Sequence, residues 1–223
     1  MTHRVLVLLV ACTLLAGCNT VRTLPRVQEE GDRHYRDHEW EAARTDYKEY
    51  VDRKPGEAEI QMRLARCLVE LGQPDAAVPH AAVAFDARPN HAESLETYCL
   101  ALADSKRTDE LFRLLNSNCE SRGKVSDYDR LARFLLRVGD PDSAERNFKM
   151  AAKVDGGRTI EPQLALADFY KSLGDKANEK KRLRMALYLD RTNQAIYDRL
   201  RGLGEIPGPS LALVPDEAGS SDR

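Results

Sequence analysis

The fold is decided by residues 58–91, which read AEIQMRLARCLVELGQPDAAVPHAAVAFDARPNH. Apolar residues recur at helical spacing on both sides of a break at residues 72–74 (Gly-Gln-Pro), and a second break at Pro89-Asn90 closes the unit. This pattern predicts two amphipathic helices joined by a tight turn.

The same unit recurs along the chain. Pro55 lies thirty-four residues before Pro89, and Ala43 lies thirty-four residues before Ala77. Self-similarity at a fixed period of this length is the signature of a repeat architecture, in which each unit buries its apolar faces against its neighbours. We expect about five such units, followed by an amphipathic helix at residues 192–202 that covers the apolar end of the last one.

The unit resembles the tetratricopeptide repeat (TPR), which has small residues at positions 8, 20 and 27, glycine at its turn and proline at position 32. In chain order these positions are occupied here by Ala65, Gly72, Ala77, Ala84 and Pro89. The resemblance implies an all-α fold. Over residues 26–203 we expect a right-handed α-solenoid of about five TPR helix pairs with a C-terminal capping helix.

The third unit, residues 92–125, departs most from this pattern. Lys106 replaces the turn glycine, Leu111 replaces the small residue at position 20, and Asn118 replaces the later alanine. Polar residues at 116–118 and 121–123 predict an early helix end followed by a loop. After the solenoid, prolines, glycines and serines predict that residues 204–223 are a disordered tail.

The first seventeen residues have the composition of a signal peptide rather than of a folded element. A short basic start precedes an apolar run at residues 5–15, which is too short to span a bilayer. Residues 15–18, Leu-Ala-Gly-Cys, resemble the lipobox of bacterial lipoproteins. That resemblance implies cleavage before Cys18, acylation of Cys18, and a lipidated tether at residues 18–25.

Asn19, rather than aspartate, follows the cysteine. By the same resemblance, this residue favours the outer membrane, with the solenoid facing the periplasm. The alternative is an ordinary secretory signal that contains an incidental cysteine.

Three further cysteines belong to the predicted solenoid. Cys67 and Cys99 lie on apolar helix faces, where a cysteine behaves as a small hydrophobic residue. Burial is therefore expected, and a disulfide between Cys99 and Cys119 remains an open alternative for an exported protein.

No pattern typical of an active site is found in the sequence. Residues 155–158 (Asp-Gly-Gly-Arg) lack the Lys-Ser/Thr pair of a phosphate-binding loop, and no nucleophile has an identifiable base. The net charge of −2 does not favour nucleic-acid binding. We expect no enzymatic activity, no cofactor, no metal and no small-molecule substrate.

The TPR resemblance implies instead a concave groove, lined by the first helix of each pair, that holds a protein or peptide. Arginine and aromatic side chains are the commoner anchors at interfaces. We therefore predict that Tyr35, Arg66, Arg133 and Arg137 contact the partner.

A basic run lies on the second helix of the fifth unit, where it is expected to face outward. Two interpretations are open for it: a solvated helix face, or a contact with anionic lipid head groups near the membrane. The run consists of Lys176, Lys180, Lys181, Arg182 and Arg184.

Together these features predict a membrane-anchored scaffold that binds a partner in its groove and assists assembly of an envelope complex. The layout is similar to that of two lipoprotein groups: the pilotins of type IV pilus secretins, and the lipoprotein of the outer-membrane β-barrel assembly machine. A regulatory subunit of a cell-wall enzyme and a purely structural oligomer are further alternatives.

Overall fold

A computed structural model describes residues 21–206 and 208–219. The predicted signal peptide, the lipobox and Cys18 therefore lie outside the described residues. The described chain contains eleven α-helices and one short 3-10 helix, and no strand occurs within those two ranges. The predicted all-α class is confirmed.

Ten of the helices form five consecutive pairs, and the last helix caps the fifth pair, as the sequence predicts. The pairs are α1 Leu24–Arg36 with α2 Trp40–Arg53, α3 Ala58–Glu70 with α4 Pro74–Ala87, α5 Ala92–Asp104 with α6 Thr108–Arg122, α7 Val125–Arg137 with α8 Pro141–Asp155, and α9 Glu161–Ser172 with α10 Lys176–Leu189. The capping helix α11 is Gln194–Gly202, and the 3-10 helix is Pro209–Leu211.

The helices form two layers. Each second helix packs against its own partner and against the first helix of the next pair, while the first helices α1, α3 and α5 contact one another in turn, as do α7 and α9. The first helices therefore form the inner, concave layer. No single pair can bury its apolar face alone, so the buried apolar residues form three successive clusters that span neighbouring pairs: from α1 to α7, from α7 to α9, and from α9 to the capping helix.

Close approach within each pair depends on small residues. Ala65 and Ala77 are both fully buried where α3 meets α4. In the first pair Gly31 takes the place of Ala65, and a Cβ atom added there would lie 2.9 Å from a ring carbon of the fully buried Tyr47. The small side chain is thus a steric requirement set by the facing helix.

The turn between paired helices contains a residue in the left-handed conformation at the same position in every unit. Glycine occupies it in the second, fourth and fifth units, whereas His38 and Lys106 adopt φ values of 58° and 59° in the first and third. A residue with a Cβ atom pays about 1–2 kcal/mol for this conformation. The turn geometry is therefore imposed by helix packing even where glycine is absent.

We expect Lys106→Gly to raise the free energy of unfolding by roughly 0.5–1 kcal/mol, because relief of the left-handed strain exceeds the entropy cost of glycine. Chemical denaturation of both proteins measures the difference. Lys106→Ala is the matched control, since it removes the exposed lysine but keeps a Cβ atom. Equal stability of the glycine and alanine variants would contradict the assignment of strain to this turn.

Helix α6 does not end early, so the predicted break at residues 116–118 is wrong. The helix continues to Arg122 and ends at Gly123, which has a φ of 58°. The reason is that Leu111, Leu115 and Cys119 form a buried stripe at four-residue spacing. Asn116 and Ser117 are exposed on the other side of the helix, while Asn118 is half-buried beside the stripe, and none of the three interrupts the helix.

The third pair is nevertheless packed differently from the others. Helix α6 lies against α5 less closely than the other second helices lie against their partners, and α5 makes little direct contact with α7. Leu111, which is fully buried, stands where the second and fourth units have alanine. The bulkier side chain holds α6 away from α5 and leaves room between α5 and α7.

The predicted disordered tail is also corrected over its described part. Residues 208–219, here called the C-terminal segment, run back across α10. Leu211 is 8% exposed and Pro215 is buried. The prolines and glycines prevent a helix, as expected, but an extended chain can still pack its apolar side chains and satisfy its polar groups against α10.

The solenoid begins slightly earlier than the predicted boundary at residue 26. Helix α1 starts at Leu24, and Arg22 is already fixed to the fold through an ion pair with Asp46 at 2.7 Å. Asp46 is buried, so this arginine supplies a charged partner that the carboxylate needs. The predicted tether is shortened accordingly.

All three described cysteines are buried and free, so Cys99 and Cys119 do not form a disulfide. Burial raises the pKa of Cys67 and Cys99 to about 12 and that of Cys119 to about 11. These thiols are consequently protonated and unreactive at neutral pH. Of the helices that the structure describes, none has both the length and the apolar character needed to cross a bilayer.

Candidate protein-interaction groove

A groove follows one face of α7 along its whole length. Two cavities compose it: one of about 760 Å³ enclosed by the N-terminal ends of α7 and α9 and the C-terminal end of α8, and one of about 390 Å³ between α5 and α7. Asp129 lines the first cavity and bonds to Arg133, which lines the second, at 3.0 Å. The two cavities therefore adjoin, and we call them together the α7 groove.

The part between α5 and α7 has an apolar floor and a charged rim. Its floor contains Phe134, which is 3% exposed, with Leu100 and Leu136 beside it. The side chains of Arg133 and Arg137 stand at the rim and are about half exposed. Two of the predicted partner contacts are thus brought together in one site.

Ion pairs span this cleft from α7 to α5. Glu96 accepts hydrogen bonds from Arg130 Nε at 2.9 Å and from Arg133 Nη1 at 3.4 Å, and Arg137 Nη2 donates to Asp104 at 2.5 Å. Arg130 is 9% exposed, so its pair with Glu96 is largely desolvated, whereas the other two are open to water. Exposed pairs contribute little stability and can exchange one carboxylate for another.

This arrangement suits a peptide that carries both an apolar and an acidic side chain. The apolar residue can displace water from the floor formed by Phe134 and Leu100. A carboxylate can accept hydrogen bonds from the exposed guanidinium groups of Arg133 and Arg137, whose planar donors match carboxylate geometry.

The other two predicted contacts lie elsewhere, in the first two units. Tyr35 is half-buried, with its ring 5.4 Å from that of Trp40 and 6.0 Å from the Arg63 guanidinium, and burial raises its pKa to about 12. Arg66 pairs with Glu70 on its own helix at 2.7 Å. Tyr35 is thus engaged in an aromatic cluster, and partner binding by these two residues stays a prediction.

Arg130, Phe134 and Asp104 form part of the site but were not singled out from the sequence. The spacing of charged residues in the sequence could have identified two of them, Arg130 and Asp104. Glu96 and Arg130 are separated by 34 residues, and Asp104 and Arg137 by 33, which is one repeat length. Opposite charges one repeat apart on inner helices predict a bridge between neighbouring units. Phe134 carries no such signal, because a buried aromatic is typical of any core.

A third cavity, of about 320 Å³, lies between α2 and α4 on the other side of the stack. His80 lines it and its Nδ1 donates to Gln61 Oε1 at 2.7 Å, while Gln61 Nε2 donates to the Pro55 carbonyl. Burial, and then the charge of Lys48, lower the pKa of His80 below its usual value. Its surroundings suit a structural, neutral imidazole. No group of three or more potential metal-ligating side chains occurs in the described ranges.

This environment predicts a pH effect on stability. Because the folded-state pKa of His80 lies below 6.5, the unfolded chain binds the proton first as the pH falls, and stability is lost as the pH drops through 6.5. We expect His80→Gln to lose less stability than the wild type between about pH 7.5 and about pH 5. Urea denaturation at both pH values measures this. Equal losses in the two proteins would contradict the expectation.

The sequence of the first two units is similar to that of a known protein family. Residues 29–92 match the sequence profile of the family described as tetratricopeptide repeat. This range covers most of α1 and all of α2 to α4. Among curated proteins, no sequence matches the chain closely enough to indicate a relative.

Solved structures share the fold over most of the chain. The crystal structure of TTC0263, a thermophilic TPR protein in Thermus thermophilus, is 18% identical, with a TM-score of 0.53 over 81% of this chain and 98% of that chain. A crystal structure of MamA protein is 15% identical, with a TM-score of 0.54 over 83% and 98%. A tetratricopeptide repeat protein from Parabacteroides merdae ATCC 43184 is 12% identical, with a TM-score of 0.57 over 83% and 73%. At these identities the comparison shows the fold alone.

Proposed function

We propose that this chain, whose residues 29–92 are tetratricopeptide repeats and whose described residues have the corresponding solenoid fold, is a lipid-anchored scaffold. It binds an extended or helical peptide of a partner protein in the α7 groove and assists assembly of an envelope complex. The TPR fold suggests a protein-interaction scaffold, and that general role is the basis of the proposal.

The observation that carries the proposal is the combination of shape and charge in the α7 groove. The groove follows the inner helix α7 and is formed by three successive units, with the outer helix α8 lining part of its larger cavity. Between α5 and α7 its rim holds two half-exposed arginines above a buried phenylalanine. Aromatic and apolar floors with arginine at the rim are typical of peptide sites that fix both position and orientation.

We test the groove by photocrosslinking in living cells, with the photoreactive amino acid at Leu136. This position lines the cleft and leaves both arginines in place. We expect a discrete adduct with a partner protein that falls by roughly tenfold or more in each of the single variants Arg133→Gln and Arg137→Gln, because a charged hydrogen bond contributes about 1.5–3 kcal/mol and about 1.4 kcal/mol is a tenfold change in affinity.

The matched control places the photoreactive amino acid at Arg146. This exposed residue belongs to the second helix of the same pair, on the outer layer. An adduct from Arg146 as strong as that from Leu136, or one that persists in both arginine variants, would overturn the assignment of the α7 groove. Thermal unfolding of each variant confirms that the fold is retained.

Membrane anchoring is proposed from the sequence of residues 15–18, and it has its own test. In a Gram-negative host we expect the wild type to be labelled by palmitate and to remain in the membrane fraction, and Cys18→Ser to abolish the labelling, since acyl chains at this residue would form the anchor. Labelling that persists in Cys18→Ser would contradict the lipoprotein assignment. Absence of labelling in the wild type would favour the ordinary secretory signal.

Among envelope roles, pilotin-like action and a part in β-barrel assembly remain candidate pathways. Loss of pili and of secretin oligomers after deletion would favour the first, whereas general failure of outer-membrane proteins would favour the second. The identity of the groove adduct distinguishes both from regulation of a cell-wall enzyme. Self-adducts alone would favour the structural oligomer.

A further inference from the structure

The C-terminal segment binds the solenoid through a mixed apolar and polar interface. Its Leu211 belongs to the cluster formed by the last pair and the capping helix, in contact with the group that includes Leu183, Leu187 and Leu200. Four residues later, buried Pro215 lies directly against the backbone of Gly157. Two apolar residues four positions apart therefore anchor the segment, one against the last helices of the stack and the other against the loop between α8 and α9.

The polar half of the interface is a built site for a carboxylate. Arg182 Nη1 donates to Glu217 Oε1 at 2.7 Å and to Gln163 Oε1 at 2.9 Å, while Gln163 Nε2 donates to Glu217 Oε2 at 3.0 Å. Arg182 and Gln163 are 6% and 0% exposed. The adjacent Lys181 pairs with Asp216 at 2.7 Å. Solenoid side chains that are almost completely buried are thus aimed at a carboxylate supplied by the segment.

Main-chain contacts follow the same pattern. Arg184 Nε donates to the Leu211 carbonyl at 2.7 Å, and the Leu213 amide donates to the Arg184 carbonyl at 3.0 Å. Within the segment, the described backbone hydrogen bonds are two short-range turns, at residues 208–211 and 215–218. The conformation of the segment is therefore set by its contacts with the solenoid, as that of a bound peptide is set by its receptor.

Four of the five residues of the basic run on α10 are accordingly engaged by the C-terminal part of the chain in this conformation, and Lys176 is exposed. Lys181, Arg182 and Arg184 all bond to the C-terminal segment, and Lys180 pairs with Glu205 just before it, at 3.1 Å. The two carboxylates of the segment, Asp216 and Glu217, are thus paired with basic residues of this surface.

We propose that this surface of α9 and α10 is a second docking site, for an extended acidic peptide of a partner protein, and that the chain's own C-terminal segment occupies it in cis. The peptide has a leucine, a proline four residues later and two carboxylates directly after the proline, as in residues 211–217 (LALVPDE). Gln163 and Arg182 bind the second carboxylate, and Lys181 binds the first. The site is separate from the α7 groove and does not depend on it.

Because the chain's own C-terminal segment occupies the second docking site, it competes with a partner peptide for that site. A tethered segment acts at an effective concentration of the order of millimolar, so a partner peptide gains access only when the segment leaves. The apparent dissociation constant of the partner peptide equals its intrinsic value divided by the fraction of molecules whose site is open. A variant whose C-terminal segment cannot bind to the solenoid, here called the unseated variant, therefore binds the free peptide more tightly than the wild type does.

The test uses the full chain and a fluorescent peptide of residues 208–219, GPSLALVPDEAG. The unseated variant carries Leu211→Asp with Glu217→Lys. By fluorescence anisotropy we expect it to bind the peptide at least about tenfold more tightly than the wild type. A peptide with the equivalent of Glu217→Lys is the matched control and is expected not to bind, because it places a cation against Arg182.

Failure of the folded, unseated variant to bind the peptide would overturn the proposal and make the segment a structural cap. Binding of that variant to vesicles containing anionic phospholipid, without binding to the peptide, would overturn it in favour of a lipid site. Neither result bears on the photocrosslinking of the α7 groove, so the two proposals fail independently.

A second measurement covers the case in which the unseated variant does not fold. In the wild type, hydrogen exchange compares two amides of the segment with amides of α10; the Leu213 amide donates to the Arg184 carbonyl of α10, and the Ala218 amide donates to the Pro215 carbonyl. Exchange of the segment amides at least about tenfold faster than that of α10 shows local detachment and supports the proposal. Exchange at one common rate would overturn it, because the segment would then open only with the solenoid.

Discussion

The close approach of paired helices at small residues is the constraint on which the rest of the structure depends. At Ala65 and Ala77 the facing helices meet with no side chain larger than a methyl group, and at Gly31 even a methyl group would meet the Tyr47 ring. This spacing fixes the turn, which has a left-handed residue at the same position in every unit. The solenoid, its inner layer and its capping helix all follow from that repetition.

The site that distinguishes this chain arises where the constraint is relaxed. With Leu111 in place of a small residue, α6 stands away from α5, and the inner helices α5 and α7 separate. Charged residues then bridge the space: Glu96 and Asp104 on one side, arginines on the other. A cleft held by exposed ion pairs above an apolar floor is open to a ligand in a way that a tightly packed seam is not.

At the C-terminal end of the stack, a second departure from the repeat pattern places a charged residue in the core. Its charge is paired with a residue that is distant in the sequence. Glu179 occupies a small-residue position and is 5% exposed, yet Arg199 of the capping helix donates to it at 3.0 Å. The neighbouring Arg182 is satisfied by Gln163 and by the C-terminal segment. Buried charges at this end therefore make the cap and the segment part of one interface, because an unpaired buried charge is costly.

The sequence by itself determined the number of helix pairs, the position of each turn and the existence of the cap, because these follow from periodicity within about one repeat. It also determined that Arg133 and Arg137 share a helix face. Only the tertiary structure decided that α6 is continuous, that the tail packs against α10, and that Tyr35 is held in an aromatic cluster. These features depend on which distant side chain fills a space or satisfies a charge, and local pattern carries no record of that partner.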